Sequence, residues 1–212
     1  MRLRTKPWAD KEFADNPMYI PSPRQLQSHW KELFGNDNPI HLEIGCGKGK
    51  FIVENALRHP SINFLAMEKF EKIICMALRH AGQRAHLPNL YLLREDAGDI
   101  TEMFSEGELS RIYINFCDPW RARGKWRKRR LTHRDFLAKY ESIMTDTKEI
   151  HFKTDNVPLF NFSLAEFQET GWLLQNVTYD LHNSGYEDNI MTEYEEKFAS
   201  QGLKICRLEA CK

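Results

Sequence analysis

The chain lacks an apolar run of membrane-spanning length, a paired-cysteine spacing, an internal repeat and any net charge. Across its 212 residues no uninterrupted apolar stretch approaches the roughly 20 residues that a membrane helix requires. The opening Met1-Arg2-Leu3-Arg4-Thr5-Lys6 is not followed by the apolar segment of a signal peptide. Both absences predict a cytoplasmic protein with no membrane partner. The five cysteines (Cys46, Cys75, Cys117, Cys206 and Cys211) show no CxxC or CxxH pairing. A disulfide framework and a zinc site are therefore not indicated, the thiols read as reduced, and no metal is implied.

With 30 basic and 30 acidic residues the formal charge is zero, so any strongly charged segment is a local asymmetry. One such segment is present. Arg121, Arg123, Lys125, Arg127, Lys128, Arg129, Arg130 and Arg134 fall within fourteen residues, with Trp126 and His133 among them and no acid before Asp135. Clustered cations neutralise phosphates and release counterions, giving salt-sensitive affinity without base readout. Arginine forks suit phosphate, and an interleaved tryptophan offers a stacking face to an unpaired base. The alternative is a solvated basic face. Against it stands the preceding segment, an apolar run over 111–116 that delivers Asp118 into the rigid turn Asp118-Pro119-Trp120.

Residues 1–38 are polar and punctuated by Pro7, Pro17, Pro21 and Pro23, and read as an N-terminal extension packed on or flexible beside a domain spanning 39–212. A helix is expected from Ser22 or Arg24 to Phe34. From residue 39 onward short apolar runs at 40–44, 62–67, 90–93, 111–116 and 149–153 alternate with helical periodicity at 51–58, 73–85, 136–144 and 159–169. Sixth and seventh strands are expected around 172–179 and 203–208. Strands alternating with helices imply parallel pairing through right-handed crossovers, an open α/β sheet. Ligands of such sheets collect beyond the carboxyl ends of the strands.

Each of the first four strand ends carries an acid. Glu43 precedes Gly45-Cys46-Gly47-Lys48-Gly49, whose alternate glycines let the backbone turn sharply and approach a ligand. The spacing departs from the dinucleotide fingerprint GxGxxG. Glu68 lies nineteen residues past Gly49, where a carboxylate can accept from ribose hydroxyls. Asp96 is placed to accept from the amine of an adenine, and Asp118 ends the fourth run. Structural roles compete with each: pairing of Glu68 with Lys69 or Lys72, capping by Asp96 of a helix starting near Asp99, bracing of the proline turn by Asp118. Four acids at successive strand ends favour a ligand site.

The ExGxGxG turn and the acids after the second and third strands resemble the class I S-adenosylmethionine-dependent methyltransferases. That resemblance implies an open, mostly parallel seven-stranded Rossmann-like sheet with helices on both faces and an antiparallel last strand. It also implies S-adenosyl-L-methionine held by Glu43, Gly45, Gly47, Gly49, Glu68 and Asp96. Phe116-Cys117-Asp118-Pro119-Trp120, Lys128-Arg129-Arg130-Leu131-Thr132, Phe152-Lys153-Thr154-Asp155-Asn156 and Thr192-Glu193-Tyr194-Glu195-Glu196-Lys197-Phe198 look like the motif series of bacterial tRNA (guanine-N7-)-methyltransferases, as does Arg4-Thr5-Lys6-Pro7-Trp8-Ala9. By this resemblance Asp118 is the catalytic or base-orienting acid, and Asp155, Thr192, Glu193, Tyr194 and Glu195 contact the target guanosine. The partner is tRNA, methylated in its variable loop by a monomer or homodimer. Ala122 stands where the family carries a lysine, in a loop one residue longer, so that Arg121 or Arg123 is left to substitute.

Asn156 before Val157-Pro158 also reads as a helix cap, and Thr192 with Glu195 as a capping box. An exocyclic-amine nucleobase methyltransferase, a tRNA-binding protein with reduced or lost catalysis, and, more distantly, a nicotinamide-dependent dehydrogenase are the competing readings.

Overall fold

A computed structural model of the chain describes residues 13–14, 16–84, 87–121 and 123–212. The apolar runs form the strands β1 (Tyr19–Ile20), β2 (Ile40–Ile44), β3 (Asn63–Met67), β4 (Leu90–Leu93), β5 (Leu109–Asn115), β6 (Met144–Thr154), β7 (Leu173–Thr178) and β8 (Cys206–Cys211). They make one sheet in the order β1-β4-β3-β2-β5-β6-β8-β7. Pairing is parallel from β1 through β6, and β8 runs antiparallel between β6 and β7. The expected open α/β sheet with an antiparallel last strand is present, with eight strands where seven were expected. The additional strand is β1, two residues on the outer edge of β4, within the stretch that reads as polar extension.

Among the described residues the sheet is packed by α1 (Trp30–Phe34), α2 (Lys50–Arg58), α3 (Glu71–Gly82), α4 (Arg134–Ile143), α5 (Val157–Glu169) and α6 (Glu193–Ala199). In α3, Ile74, Cys75, Ala77, Leu78 and Ala81 are buried, the helical spacing of a core-facing stripe. α5 starts with Asn156 Oδ1 accepting from Leu159 N at 2.8 Å and with Pro158 in its first turn, where the missing N–H costs nothing. The helix expected from residue 22 or 24 is broken. Pro23–Leu26 forms a 3-10 turn, Ser28 takes φ 69°, and α1 begins only at Trp30. That break turns Trp30 inward, where it is fully buried, stacks on Phe104 at 5.2 Å and donates from Nε1 to Met103 O at 2.9 Å.

Both faces of the central strands are covered, and every residue of β2 and of β3 is buried, the polar His41, Glu43 and Asn63 included. One face carries Leu42, Ile44, Leu65, Met67, Ile112 and Phe152 against Trp30, Tyr140 and Phe160. The other carries Phe64, Ala66 and Leu92 against α2 and α3. Over β2, β5, β6 and β8 this second face turns polar, presenting His41, Glu43, Arg111, Asn115, His151, Lys153 and Arg207. Glu43 is 1% exposed; its Oε1 accepts from Asn115 Nδ2 at 2.9 Å, and Oε2 has no partner. Burial pushes its pKa up to about 8, against the opposing pull of Asn115 and Lys153. Among the described residues no helix is long and apolar enough to cross a membrane.

Replacing Trp30 by alanine removes the largest buried side chain that ties residues 19–34 to the sheet. We expect a loss of about 3–5 kcal/mol, or roughly 10 °C of melting temperature for a chain of this size, in a thermal melt. Glu43 predicts a pH effect. Its folded pKa lies above its ordinary value of 4.5, so the stability it supports is complete below about pH 4.5 and is lost as the pH rises through about 8. The melting temperature of Glu43→Gln minus that of the native chain should therefore grow from pH 5 to pH 8.5. A constant difference would show that Glu43 ionises as a solvated acid.

Candidate active site and basic face

Chain order reverses at β2. From there the chain runs outward to β3 and β4 on one side, then returns to β5 and β6 on the other. The loops leaving β2 and β5 therefore diverge, and a crevice opens between them at the carboxyl edge. A cavity of about 580 Å³ occupies this place, lined by Gly45, Glu68, Asp96, Asn115, Asp118 and Trp120 together with Lys128 and Arg129. The structure thus brings four strand ends to one hollow.

The glycine turn forms one wall. Gly45, Gly47 and Gly49 all have positive φ (76°, 57° and 85°). Gly49 carries a second constraint, because a Cβ there would stand 3.0 Å from Ala77 Cβ of α3. Gly45 N and Cys46 N both donate to Met67 O, at 2.8 and 3.0 Å, which pins the turn to the end of β3. Glu43 itself is buried and is not among the residues that line the cavity.

Glu68 does not pair with Lys69 or Lys72. It accepts from Phe70 N at 2.9 Å, and burial raises its pKa despite the backbone donors around it. Lys69 reaches Asp96 instead. Asp96 caps the 3-10 turn Ala97–Glu102 through Gly98 N at 2.9 Å, and it is held below the usual carboxylate range, burial notwithstanding, by Lys69 and that amide. The capping role is real, and it leaves the carboxylate on the cavity wall.

Asp118 is exposed at the rim, between two residues in the left-handed region, Phe116 (φ 51°) and Trp120 (φ 22°). Arg130 accounts for the shape of this turn. It is 4% exposed and donates to Pro119 O and Trp120 O, from Nε at 3.0 and 3.2 Å and from Nη2 to Trp120 O at 2.8 Å. Arg130 is thus an internal brace of the turn and does not face outward with the rest of the run. Arg127 and Arg134 bind the buried carboxylate of Glu166 on α5, whose pKa is drawn down to about 2 against burial by these arginines.

Arg127 and Arg134 stay exposed at their edges, and Arg121, Arg123, Lys125, Lys128 and Arg129 are exposed beside them, with Lys128 3.5 Å from Asp135. Trp120 and Trp126 stack at 5.6 Å with planes 12° apart, and the Arg129 guanidinium lies over both rings at 4.4 and 5.3 Å. A flat aromatic–guanidinium step therefore borders the cavity on the side of Asp118. Residue 122, where the family lysine stands, lies outside the described residues.

Asp155 and the segment at 192–195 form a second group beside the cavity. Tyr194 OH donates to Asp155 Oδ2 at 3.3 Å, and its ring packs on Phe116 at 4.9 Å. Thr192 Oγ1 accepts from Glu195 N at 3.0 Å, half of the expected capping box. The reciprocal half is missing because the Glu195 carboxylate turns inward. It is 0% exposed and accepts from Lys153, His182 and Asn189 at 2.7, 2.9 and 2.7 Å. Glu193 Oε1 accepts from Lys50 N at 3.2 Å, bringing α6 onto the first turn of α2. Of the four residues, Tyr194 is the one whose side chain reaches toward Asp155. Sequence reading overlooked Lys153, since a lysine inside an apolar run resembles a solvated strand residue.

Residues 37–208 match a family model described as a putative methyltransferase. A tRNA (guanine-N(7)-)-methyltransferase of Geobacillus sp. (strain WCH70) is 51% identical over 210 residues, covering 99% of this chain and 94% of that one. Those of Halalkalibacterium halodurans and Lysinibacillus sphaericus are 48% and 46% identical over 211 residues, covering 99% of this chain and 95% and 97% of theirs. Among solved structures, an antibiotic-related methyltransferase and the 16S rRNA methyltransferase KamB superpose with TM-scores of 0.64 and 0.63. Each is 16% identical and covers 87% of this chain and 92% of its own, a likeness of fold. On the family match and on near-full-length identity, the chain belongs to the tRNA (guanine-N(7)-)-methyltransferase family.

Proposed function

We propose that the chain transfers a methyl group from S-adenosyl-L-methionine to N7 of a guanine in tRNA, with the variable loop as the target region and the cytoplasm as the place of work. The observation that carries this reading is near-full-length identity to relatives of that name, on a chain whose rim acid, Asp118, stands beside a basic stacking step.

The cavity fits the methyl donor. A positive-φ glycine turn gives close backbone approach on one side, and Glu68, engaged by a backbone amide, offers its remaining acceptor capacity toward a ribose. Asp96 stands across the same hollow for an adenine amine. When bound, the cofactor supplies an electrophilic methyl on sulfonium. Guanine N7 presents a lone pair, so no residue has to remove a proton. The work left to the protein is orientation, which by itself can lower a barrier by several kcal/mol. Asp118 is placed to accept from the guanine N1–H and exocyclic amine, and its negative charge favours the cationic product. Asp155, held by Tyr194, completes the base-facing side. Arg121, Arg123, Lys125, Lys128 and Arg129 meet the phosphates, and the Trp120–Trp126 step receives an unpaired base.

Labelled S-adenosylmethionine and unmodified tRNA should yield 7-methylguanosine, identified by mass spectrometry and chromatography. Asp118→Ala should lower turnover on the order of a hundredfold while the cofactor Kd, followed by calorimetry, stays near the native value. Full turnover in that variant would remove Asp118 from the chemistry, and cofactor binding without any methylated nucleoside would leave a tRNA-binding protein. The cations on the tryptophan step and those bound to Glu166 should also separate. Lys125→Ala should weaken tRNA binding and reduce the slope of log affinity against log salt by about 0.7–0.9. Arg127→Ala should lower the melting temperature more than it changes that slope, because Arg127 is committed to Glu166.

A further inference from the structure

Lys153 lies in β6, two residues before Asp155, and is 4% exposed. An ammonium with so little water must be satisfied by the protein. Its Nζ donates to Glu195 Oε2 at 2.7 Å, to Ile190 O at 2.9 Å and to Asn189 Oδ1 at 3.2 Å, and it lies 5.1 Å from the Phe51 ring centre. Its own carbonyl accepts from Phe116 N at 2.9 Å, at the entrance of the Asp118 turn. One residue therefore joins the strand that leads into Asp155, the loop at 189–190, the start of α6, the first turn of α2 and the approach to Asp118.

The tie is specific in direction. Glu195 closes its carboxylate around Lys153, His182 and Asn189, which fixes the rotation of α6 about its axis. That rotation aims Tyr194 at Asp155 and lays its ring on Phe116. A second, more exposed contact, Lys50 with Glu193 and Glu196, keeps α6 attached to α2. Loss of the buried tie would thus leave α6 in place but free to turn.

We propose that Lys153 is a positioning residue of the methyl transfer, its buried ion pair with Glu195 setting residues 192–198 against Asp155 and Phe116 so that the base-facing wall is pre-formed. This rests on the proposed function of the same site. A merely structural pair behaves differently: replacing both charges of a buried pair by neutral groups of similar size is often neutral or stabilising, whereas removing one leaves a buried charge alone.

The test compares Lys153→Met, Glu195→Gln and the double variant. The double variant should recover much of the melting temperature lost by Lys153→Met and bind S-adenosylmethionine with native affinity. Its kcat on unmodified tRNA should remain roughly ten- to a hundredfold down, with faster amide exchange over residues 192–198. Native kcat together with native exchange in a folded double variant overturns the proposal. If the double variant does not fold, Glu195→Asp, which keeps the charge but shortens the reach, decides by the same two readouts at native melting temperature. If the native chain makes no 7-methylguanosine, the functional reading falls by itself, and exchange over 192–198 still judges whether Lys153 sets this wall.

Discussion

The reversal of strand order at β2 is the constraint from which the rest of the molecule follows. In a parallel sheet every strand end on one edge is equivalent until the chain changes direction, and only there do two loops part and leave room. Placing β3 and β5 on either side of β2 makes the ends of β2, β3, β4 and β5 neighbours. Gly45, Glu68, Asp96 and Asp118, up to 73 residues apart in sequence, thereby share one cavity wall. Glu68, Asp96 and Asp118 sit one to three residues beyond the ends of β3, β4 and β5, so their spacing follows the sheet.

Charge is used in two ways. On the far side of β2, β5, β6 and β8 it is turned inward: Lys153 with Glu195 and Arg207 with Glu209 are buried pairs, and Arg111 with Glu149 is a half-buried one. Glu149, His151 and Glu209 come close enough to suggest a metal trio, but both carboxylates already answer to arginines. On the rim, charge faces outward and remains available. The basic run straddles the two regimes, with Arg130, Arg127 and Arg134 folded back as braces and the others presented on the tryptophan step. A neutral chain therefore presents a cationic face without a global field.

Much of this was legible in the residues. The strands from β2 to β5 fall on the short apolar-rich runs at 40–44, 62–67, 90–93 and 111–116. The four strand-end acids follow from where those runs stop. What escaped was non-local. β1 is two residues long and is defined by the neighbour it pairs with. The break before Trp30 depends on a pocket made by Met103 and Phe104, more than seventy residues away. The inward turn of Glu195 was hidden because Thr192 and Glu195 have the spacing of a capping box, and only the presence of Lys153 beneath them decides which partner the carboxylate takes. The same holds for Arg130, indistinguishable in sequence from the arginines around it.

The two edges of the sheet are finished differently from its centre. At one end β7 carries a register shift between Gln175 and Thr178 with Asn176 in the left-handed region, a distortion that spoils it as a template for another strand. At the other end β4, Leu90-Tyr91-Leu92-Leu93, is regular and apolar, and among the described residues Tyr19 and Ile20 pair along its outer edge. Those two residues occupy hydrogen-bonding positions that an unpaired edge would leave open. In a chain shortened past Ile20, or one still being folded before that strand docks, β4 would offer an open row of amides and carbonyls to its own kind. The sheet thus ends on a two-residue strand that covers part of an apolar neighbour.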